Sequence, residues 1–561
     1  MTDGILGLWD GHDAGVAIVA DGCLVFALSE ERPTRRKRAS GWPRFALRRA
    51  LEWASRHGIA IRDVAVAGRC GRVPLRWLDP IYRRRDPRGN PLSCANRCVE
   101  GYENTVAHLA GVREVESRLG LWPVRERLRR CLGGAIRVHA VDHHDAHAFS
   151  ALFGEIRERA LVVTWDAYGE GRALTARLAR DPMRVTTAAG PPVGVAALYG
   201  AVTVAMGFRE GDEGKVMGLA ALGEPARAVS RFEDLFEIGA DSLPRLRRRL
   251  TPRLVERLIS GLSREDAAAA LQATTRRLVV EAIERLVGGE HTALLLAGGL
   301  FANVRLNQAL SEIRGVERVF VFPAMGDGGL PAGAAHWLFY QRTRRLADPV
   351  VRMALGCEFD RADCEAAIRA FDLAGTTVED APRRAADLVV NGAVVGWYDG
   401  REEFGPRALG QRSILFRADR LDLAKRVNEA LGRDSFMPFA PALVEREAGP
   451  AFIGRDPRDF RFMTITAEAS RAFRDVCRAA VHVDGTCRPQ VVHRAESPRF
   501  HRLIEEVRRL GGPVAIVNTS FNRHGEPIVH TPSDAMDTFL RCGLDALFLG
   551  DLEVRRPVHV R

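Results

Sequence analysis

Residues 143–147, His-His-Asp-Ala-His, carry the first chemistry in this sequence. Asp142 is a good helix N-cap, and Ala146, Ala148, Ala151 and Leu152 continue as helix. On such a helix His143 and His147 lie one turn apart on one face, with His144 turned elsewhere. Two imidazoles at i, i+4 can grip one metal ion. The alternative is a pair of ordinary histidines on a solvated face. A helix supplies only two ligands, so carboxylates must come from other elements. The apolar run 161–165 delivers Asp166, and the run 319–322 is followed by Pro-Ala-Met-Gly-Asp327-Gly-Gly. A His₂-carboxylate set suits iron, manganese or zinc. Asp beside Gly is also a common turn residue, which is the other reading of both.

The elements that must position these residues belong to a long chain. At 561 residues it exceeds a single core, so two or more domains are expected. Its 46% hydrophobic content is that of a folded globular protein. No run approaches 18 apolar residues, and the N-terminus leads straight into a strand, so neither a membrane span nor a signal peptide is expected. The ten cysteines are scattered, and Cys94 and Cys98 lack a second pair, a weak zinc signal. Reduced thiols and a cytoplasmic location follow as the expectation.

The net charge of +11 raises nucleic acid as a partner. The basic residues are spread rather than gathered, aromatics are 7%, and no stacking module is visible, so no nucleic-acid partner is expected. Anionic small substrates and a drift toward Arg account for the charge. Of 82 basic residues only Lys37, Lys215 and Lys425 are lysines. Arg reads oxyanions with a rigid fork, whereas Lys is a point charge on a flexible stem. A retained Lys hints at a position where Arg will not serve.

Along the chain, 5–9, 16–20 and 24–29 read as a strand meander, turning at Asp10-Gly-His12-Asp13 and Asp21-Gly22. A basic loop, Glu30 to Arg38, and a helix over about 43–57 follow. The opening Leu-Trp9-Asp10-Gly is echoed at Thr-Trp165-Asp166-Ala, with a strand at 172–178 after a Gly turn. This coarse repeat suggests two similar α/β subdomains, each offering an Asp at the end of its first strand. Residues 70–135 read as an insertion. Helices are expected at 254–262 and 267–286, then a strand at 292–296. The Gly298-Gly299 turn and a helix opening at Asn303 make a phosphate or nucleotide cradle. A domain boundary is expected near 341–358, giving domains of 1–345 and 355–561. The second domain carries Arg in Gly/Pro-defined loops, at Gly405-Pro-Arg407, Arg412 and Arg488-Pro, and strands at 394–397 and 514–517. Loops each built around an Arg fit an anionic ligand.

Taken in order, these motifs resemble the O-carbamoyltransferase family of nodulation, cephem and aminoglycoside carbamoyltransferases. The resemblance rests on His12-Asp-Ala, Glu30-Glu-Arg32, His143-His-Asp-Ala-His147, Gly214-Lys215-Val-Met-Gly, Gly298-Gly299 with Asn303, Gly326-Asp327-Gly-Gly, Phe404-Gly-Pro-Arg407, Asp484-Gly-Thr-Cys-Arg488-Pro-Gln and Asn518-Thr-Ser520-Phe-Asn522. It implies an α/β protein whose N-terminal domain, of two duplicated subdomains, is like the tRNA threonylcarbamoyl transferase of the actin/Hsp70 superfold. It implies a C-terminal domain like the carbamoyl-adenylate synthases.

The activity implied is ATP-dependent. The C-terminal domain joins carbamoyl phosphate and ATP, used with Mg²⁺, into carbamoyl adenylate. The N-terminal domain passes the carbamoyl group to the hydroxyl of a small molecule. The metal implied is Fe²⁺, with Mn²⁺ or Zn²⁺ as alternatives, on His143, His147, Asp166 and Asp327. Asp10 and His12 are then the base and its helper, and Lys37 approaches carbamoyl or phosphate oxygens. Lys215, Gly298, Gly299 and Asn303 meet the nucleotide. Arg407, Arg412, Arg433, Arg488, Asn518 and Ser520 hold carbamoyl phosphate and ATP in the C-terminal domain.

One departure stands out. Leu431 and Met437 occupy positions where the family usually has cations, while Arg433 is kept. Each lost charge-assisted contact to phosphate costs roughly 1.5–3 kcal/mol. A tRNA-modifying or hydrogenase-maturation relative, or a non-catalytic nucleotide-binding relative, are the alternatives. The paired Cys-x-x-Cys motifs of the hydrogenase type are absent from the sequence.

Overall fold

A computed structural model describes residues 2–68, 110–133, 136–155, 158–190, 194–289, 293–453 and 457–556. The Cys94/Cys98 pair and most of the expected insertion lie outside the described residues. The part of the insertion that is described contains a 23-residue helix, Ala110–Leu132, where the sequence showed little period. The chain forms two compact units. One comprises 1–11, 15–25 and 50–350, and the other 12–14, 26–49 and 351–561. Residues 12–14 and 26–49, counted from sequence in an uninterrupted first domain, thus group with the C-terminal unit.

Two five-stranded sheets lie mainly in the first unit, with the end of one edge strand, residues 26–29, grouping with the second. One runs β3-β2-β1-β4-β5, from β1 (Thr2–Trp9), β2 (Gly15–Ala20), β3 (Cys23–Ser29), β4 (Ile59–Ala67) and β5 (Arg137–Val141). The Asp21-Gly22 turn after β2 uses two left-handed residues, at φ 50° and 83°. A second sheet takes β6 (Ala160–Gly169), β7 (Arg172–Leu178) and β8 (Val185–Ala189). A hairpin of β9 (Phe236–Ile238) and β10 (Pro244–Leu246) stands apart. The second sheet is completed by β11 (Ala293–Ala297) and β12 (Arg318–Val321), in the order β12-β11-β6-β7-β8. In each sheet the first strand pairs antiparallel with the next and parallel with a later one (β1 with β2 and β4, β6 with β7 and β11). In each, two parallel strands continue that side, β4 with β5 and β11 with β12. The run expected at 292–296 is β11, and Thr292 lies outside the described residues.

Helix Leu330–Thr343 ties the first unit together. It lies so close to β1 that a Cβ on Gly7 would stand 1.8 Å from the Pro331 carbonyl oxygen. A Cβ on Gly333 would stand 1.7 Å from the Ala146 oxygen. Those two glycines let the helix press against both β1 and helix His143–Ala151, and so fix where Asp327, just ahead of it, arrives. The second-sheet core packs Phe149 of helix His143–Ala151 and the following Leu152 on Val162 and Leu295.

The second unit is built on an eight-stranded mixed sheet in the order β13-β22-β21-β14-β15-β20-β16-β19. Its strands are β13 (Gly375–Thr377), β14 (Val395–Tyr398), β15 (Arg412–Arg417), β16 (Ala440–Val444), β19 (Gln490–Val492), β20 (Ile516–Ser520), β21 (Ala546–Leu549) and β22 (Leu552–Arg555). A separate short pair is β17 (Ala467–Glu468) with β18 (Thr486–Cys487). Helices Ala381–Val390 and Pro498–Arg509 cover one sheet face, where Trp397, Leu415, Phe500, Leu503 and Phe548 form a dry core. In the segment 26–49, expected as a basic loop and a helix, Glu31–Thr34 is a short helix and Arg44–Arg56 a longer one. The Glu30 carboxylate accepts from the Phe45 and Ala46 N–H groups at 3.1 and 2.7 Å, at the start of the longer one.

Candidate functional site

Asp142 caps helix His143–Ala151 as its sequence predicts, its side chain accepting from the N–H groups of His144 and Asp145 at 3.0 and 3.2 Å. The helix is buried almost all round, His147 completely and His143 to 5% exposure. The two rings are therefore not on a solvated face. Buried imidazoles need partners. His144 finds them in the Thr164 hydroxyl at 2.7 Å and the Arg172 carbonyl at 3.2 Å. Burial and the neighbouring histidines pull its pKa down to about 3, so it is neutral.

His143 and His147 face two carboxylates instead. His147 Nε2 stands 3.2 Å from Asp166 Oδ2 and 3.4 Å from Asp327 Oδ1. His143 Nε2 stands 3.9 and 3.7 Å from the same two oxygens. Neither nitrogen has a partner in hydrogen-bond geometry. The four donor atoms lie within 4.8 Å of one another and could hold one ion; ligands about 2.1 Å from a metal lie about 3.0–3.4 Å apart, which His147 matches while His143 stands somewhat farther out. Burial disfavours a charged His147, but Asp166 and Asp327 outweigh it and raise its pKa to about 9. Asp166 is likewise opposed by burial, yet His143 and His147 hold it well below the usual carboxylate range. The cluster thus favours positive charge among its oxygens, the electrostatics of a cation site.

The supports of this cluster are mostly backbone. Asp166 lies within β6 rather than at its end, where the register with β7 breaks between Trp165 and Gly169. That break frees its side chain from the ladder. The Ala167 N–H donates to Asp166 Oδ1 at 2.7 Å and the Gly299 N–H to Oδ2 at 3.3 Å. Gly298 has φ 111°, and its Cβ would lie 2.3 Å from the Trp165 oxygen, so only glycine lets this turn approach β6. Gly169 was missed in the sequence. A Cβ there would lie 2.3 Å from His143 Cδ2. The signal available was the Gly169–Gly171 turn three residues beyond a candidate ligand. Trp9, at the end of β1, meets the His143 ring edge-on at 5.9 Å, so the strand end that carries Asp10 is beside the cluster.

The other expected residues are placed variously. His12 meets Asp13 Oδ2 at 3.1 Å, and Lys37 is exposed in a turn. Both belong to segments of the second unit. Lys215 lies 3.7 Å from Asp212 and over the Phe208 ring at 5.6 Å. Gly299 serves Asp166. Asn303 caps helix Val304–Ser311 through Leu306 N–H and exchanges two amide bonds with Gln272, at 3.1 and 2.9 Å. Its amide is engaged in the fold, as are the Gly299 N–H on Asp166 and the Gly298 N–H on the Met325 oxygen at 2.7 Å.

In the second unit the structure gathers Arg407, Arg433 and Arg488. Burial lowers the pKa of Arg407 and Arg433 to about 10, with Arg433 adding to the burial effect on Arg407. Arg488 is lowered further by burial and by both of the others. Among the described residues neither Arg407 nor Arg488 has a carboxylate partner, and each has a buried, unbonded Nε. Three guanidiniums that repel one another make a strongly positive local field. Arg433 is anchored on the Thr519 hydroxyl at 2.8 Å and on the Phe439 ring. Arg412 is not part of this group. Its guanidinium binds the Asp399, Gln411 and Gly400 carbonyls and stacks 3.5 Å from the Tyr398 ring centre, a structural role. Asn518 donates to the Ala408 oxygen and to Gln490, tying the loop of Arg407 to the strand beyond Arg488. Ser520 ends β20 opposite Ser413. Leu431 is buried at a helix end, and Met437 is part-buried.

Comparison with known proteins decides the family. A carbamoyltransferase N-terminus family model matches residues 4–336 and a carbamoyltransferase C-terminus model matches 386–556. The chain belongs to the carbamoyltransferase family. Among its relatives, nodulation protein NolNO of Sinorhizobium fredii is 30% identical over 97% of this chain and 79% of that protein. Nodulation protein NolO of Bradyrhizobium diazoefficiens is 33% identical over 75% and 80%. The 3'-hydroxymethylcephem-O-carbamoyltransferase of Streptomyces clavuligerus is 26% identical over 97% and 98%. This carbamoyltransferase is therefore an enzyme with carbamoyl donors and small-molecule substrates. Its fold is mixed α/β with several sheets. Among the described residues no helix is long and apolar enough to cross a membrane.

Proposed function

We propose that this enzyme is an ATP-dependent O-carbamoyltransferase with one half-reaction in each unit. The observation that supports the reading is the trio Arg407, Arg433 and Arg488, three clustered guanidiniums of which two have no carboxylate partner among the described residues. Such a site suits carbamoyl phosphate and the triphosphate of ATP, bound with Mg²⁺. There water cleaves carbamoyl phosphate to carbamate and inorganic phosphate, a carbamate oxygen attacks the α-phosphorus of ATP, pyrophosphate leaves, and carbamoyl adenylate results. The first unit carries out the transfer. An alcohol oxygen attacks the carbamoyl carbon, the bond to the adenylate oxygen breaks, and AMP leaves. Asp10, beside the cluster through Trp9, accepts the hydroxyl proton. Lys37, which groups with the second unit, supplies a mobile cation to carbamoyl or phosphate oxygens there.

His143, His147, Asp166 and Asp327 would hold the metal, Fe²⁺ or alternatively Mn²⁺ or Zn²⁺, and the unbonded buried imidazole nitrogens are the support for that fit. When bound, the ion neutralises charge on the leaving phosphate. The equal strand orders of the two five-stranded sheets support two duplicated actin/Hsp70-like subdomains, and the C-terminal unit is read as carbamoyl-adenylate-synthase-like. The acceptor is a small-molecule alcohol of secondary metabolism. A cytoplasmic location suits ATP and the free thiols.

The test is pyrophosphate release from ATP plus carbamoyl phosphate, followed with and without a panel of alcohols. Arg488→Ala should stop pyrophosphate release. Asp10→Ala should leave it running and yield no carbamoylated alcohol. The reverse pattern would refute this division of the chemistry.

A further inference from the structure

The segment 26–49 reaches the anion site of the second unit through one buried side chain. Arg32 is 2% exposed, yet it sits in a stretch rich in surface charge. A guanidinium is buried only where its donors are used. Arg32 Nη2 donates to the carbonyl oxygens of Glu403 and Gly405, at 3.2 and 3.1 Å, across 371 and 373 residues of sequence. Its Nη1 faces the buried Glu402 carboxylate at 3.7 Å. Those two carbonyls flank Phe404 and precede Pro406 and Arg407. Gly405 has φ 121°, a conformation other residues rarely adopt, so the loop leading to Arg407 is held in an unusual shape.

The far side of the same loop is fixed by other groups. The Glu403 carboxylate accepts from the Leu409 and Arg412 N–H groups at 2.8 and 3.3 Å. Gln490 donates to the Leu409 oxygen at 2.9 Å, and Asn518 to the Ala408 oxygen at 3.2 Å. Arg407 therefore sits between two clamps, and the upstream clamp is Arg32. A second staple keeps the segment in place. Arg35 donates to the Ile528 and Pro527 oxygens at 2.6 and 2.9 Å and faces Asp534 at 3.5 Å.

We infer that Arg32 is a positioning residue of the anion site, holding the loop of Arg407 by the carbonyls of Glu403 and Gly405. The inference rests on the reading of Arg407, Arg433 and Arg488 as that site. A flexible ammonium lacks the planar fork that spans two carbonyls while also facing a carboxylate. Arg32→Lys keeps the charge opposite Glu402, so the fold survives while the clamp is lost. Arg407 would then lose preorganisation, which weakens anion binding more than turnover at saturation.

The experiment measures pyrophosphate affinity of the full-length protein by calorimetry, together with KM and kcat for pyrophosphate release. Arg32→Lys should weaken pyrophosphate binding and raise the KM for carbamoyl phosphate by about tenfold or more, with kcat changed far less. In an Arg407→Ala background the same substitution should have no further effect on affinity, because Arg32 acts through Arg407. A folded Arg32→Lys protein with wild-type affinity and KM would overturn the inference, as would an equal loss in the Arg407→Ala background. Failure of the wild-type protein to bind pyrophosphate would instead overturn the anion-site reading, and the inference with it.

Discussion

Gly169→Ala tests the metal site without touching a ligand. A methyl group at 169 would lie 2.3 Å from His143 Cδ2, with Cγ and Nε2 both at 2.8 Å. Carbon atoms settle at about 3.5–4.0 Å, so the ring must retreat by more than about 1 Å or swing about its χ angles. His143 Nε2 is already the farther of the two imidazole nitrogens from the shared carboxylates, at 3.7 and 3.9 Å. Helix His143–Ala151 is buried and pressed by Gly333 onto its neighbour, so it offers little room for the ring to recover. Displacing an orienting contact of a metal ligand typically costs 10- to 100-fold in affinity. We expect Gly169→Ala to fall in that range, read by competition with a chelator of known affinity and by metal content after dialysis. Gly328→Ala is the internal control. It adjoins Asp327, but a Cβ there meets nothing within 4 Å, so affinity should stay within about threefold. Wild-type metal affinity in a folded Gly169→Ala protein would refute the placement of His143 in the site.

Removing both rings in His143→Ala/His147→Ala should abolish metal binding and carbamoyl transfer; full metal occupancy in that protein, measured by elemental analysis, would remove the site. Lys37→Arg should keep charge and fold but slow transfer by about 10²-fold, while unchanged product formation would reduce Lys37 to part of a basic rim. Asp63 gives a pH prediction. Its buried carboxylate is opposed by desolvation, but Arg137, Arg342 and His139 outweigh that and hold its pKa well below the usual value. Its contribution is therefore complete above the unfolded pKa of about 3.9 and is lost as pH falls toward the depressed folded value. Asp63→Asn should cost on the order of 2 kcal/mol at neutral pH, and the gap between the two proteins in urea unfolding should narrow only below about pH 4. A gap that closes between pH 7 and 5 would contradict this.

Much of the site was legible because its signals are local. The Asp142 cap and the i, i+4 spacing of His143 and His147 depend on a few consecutive residues. Turn chemistry likewise located β2, β7 and the Asp21-Gly22 turn. What sequence could not supply was the third dimension of crowded places. Asp166 reads as a strand-end residue, yet the strand continues past it through a break in register. Gly169 matters only because His143 arrives from another element. Arg412 looks like its neighbours in the loops, but its fork is occupied by backbone carbonyls, whereas Arg407 and Arg488 lack carboxylate partners among the described residues. Arg32 reads as one more charge in a basic stretch, and only tertiary structure reveals that it is buried.

The staples at Arg32 and Arg35 also bear on how the chain is made. Arg35 binds the Ile528 carbonyl across 493 residues of sequence. At about 5–20 residues per second, a ribosome needs roughly 25 to 100 s to synthesise that partner after Arg35 has emerged. Through that interval the segment 26–49 hangs between strands already able to pair and a unit not yet born. Arg32 and Arg35 in it have no native partners yet, although Phe26 and Leu28 can already join β2 through β3. Folding of this carbamoyltransferase therefore ends where its sequence nearly begins. A nascent chain arrested before residue 400 should show the stretch Glu31–Thr34 open to protease while β4 and β6 are already protected.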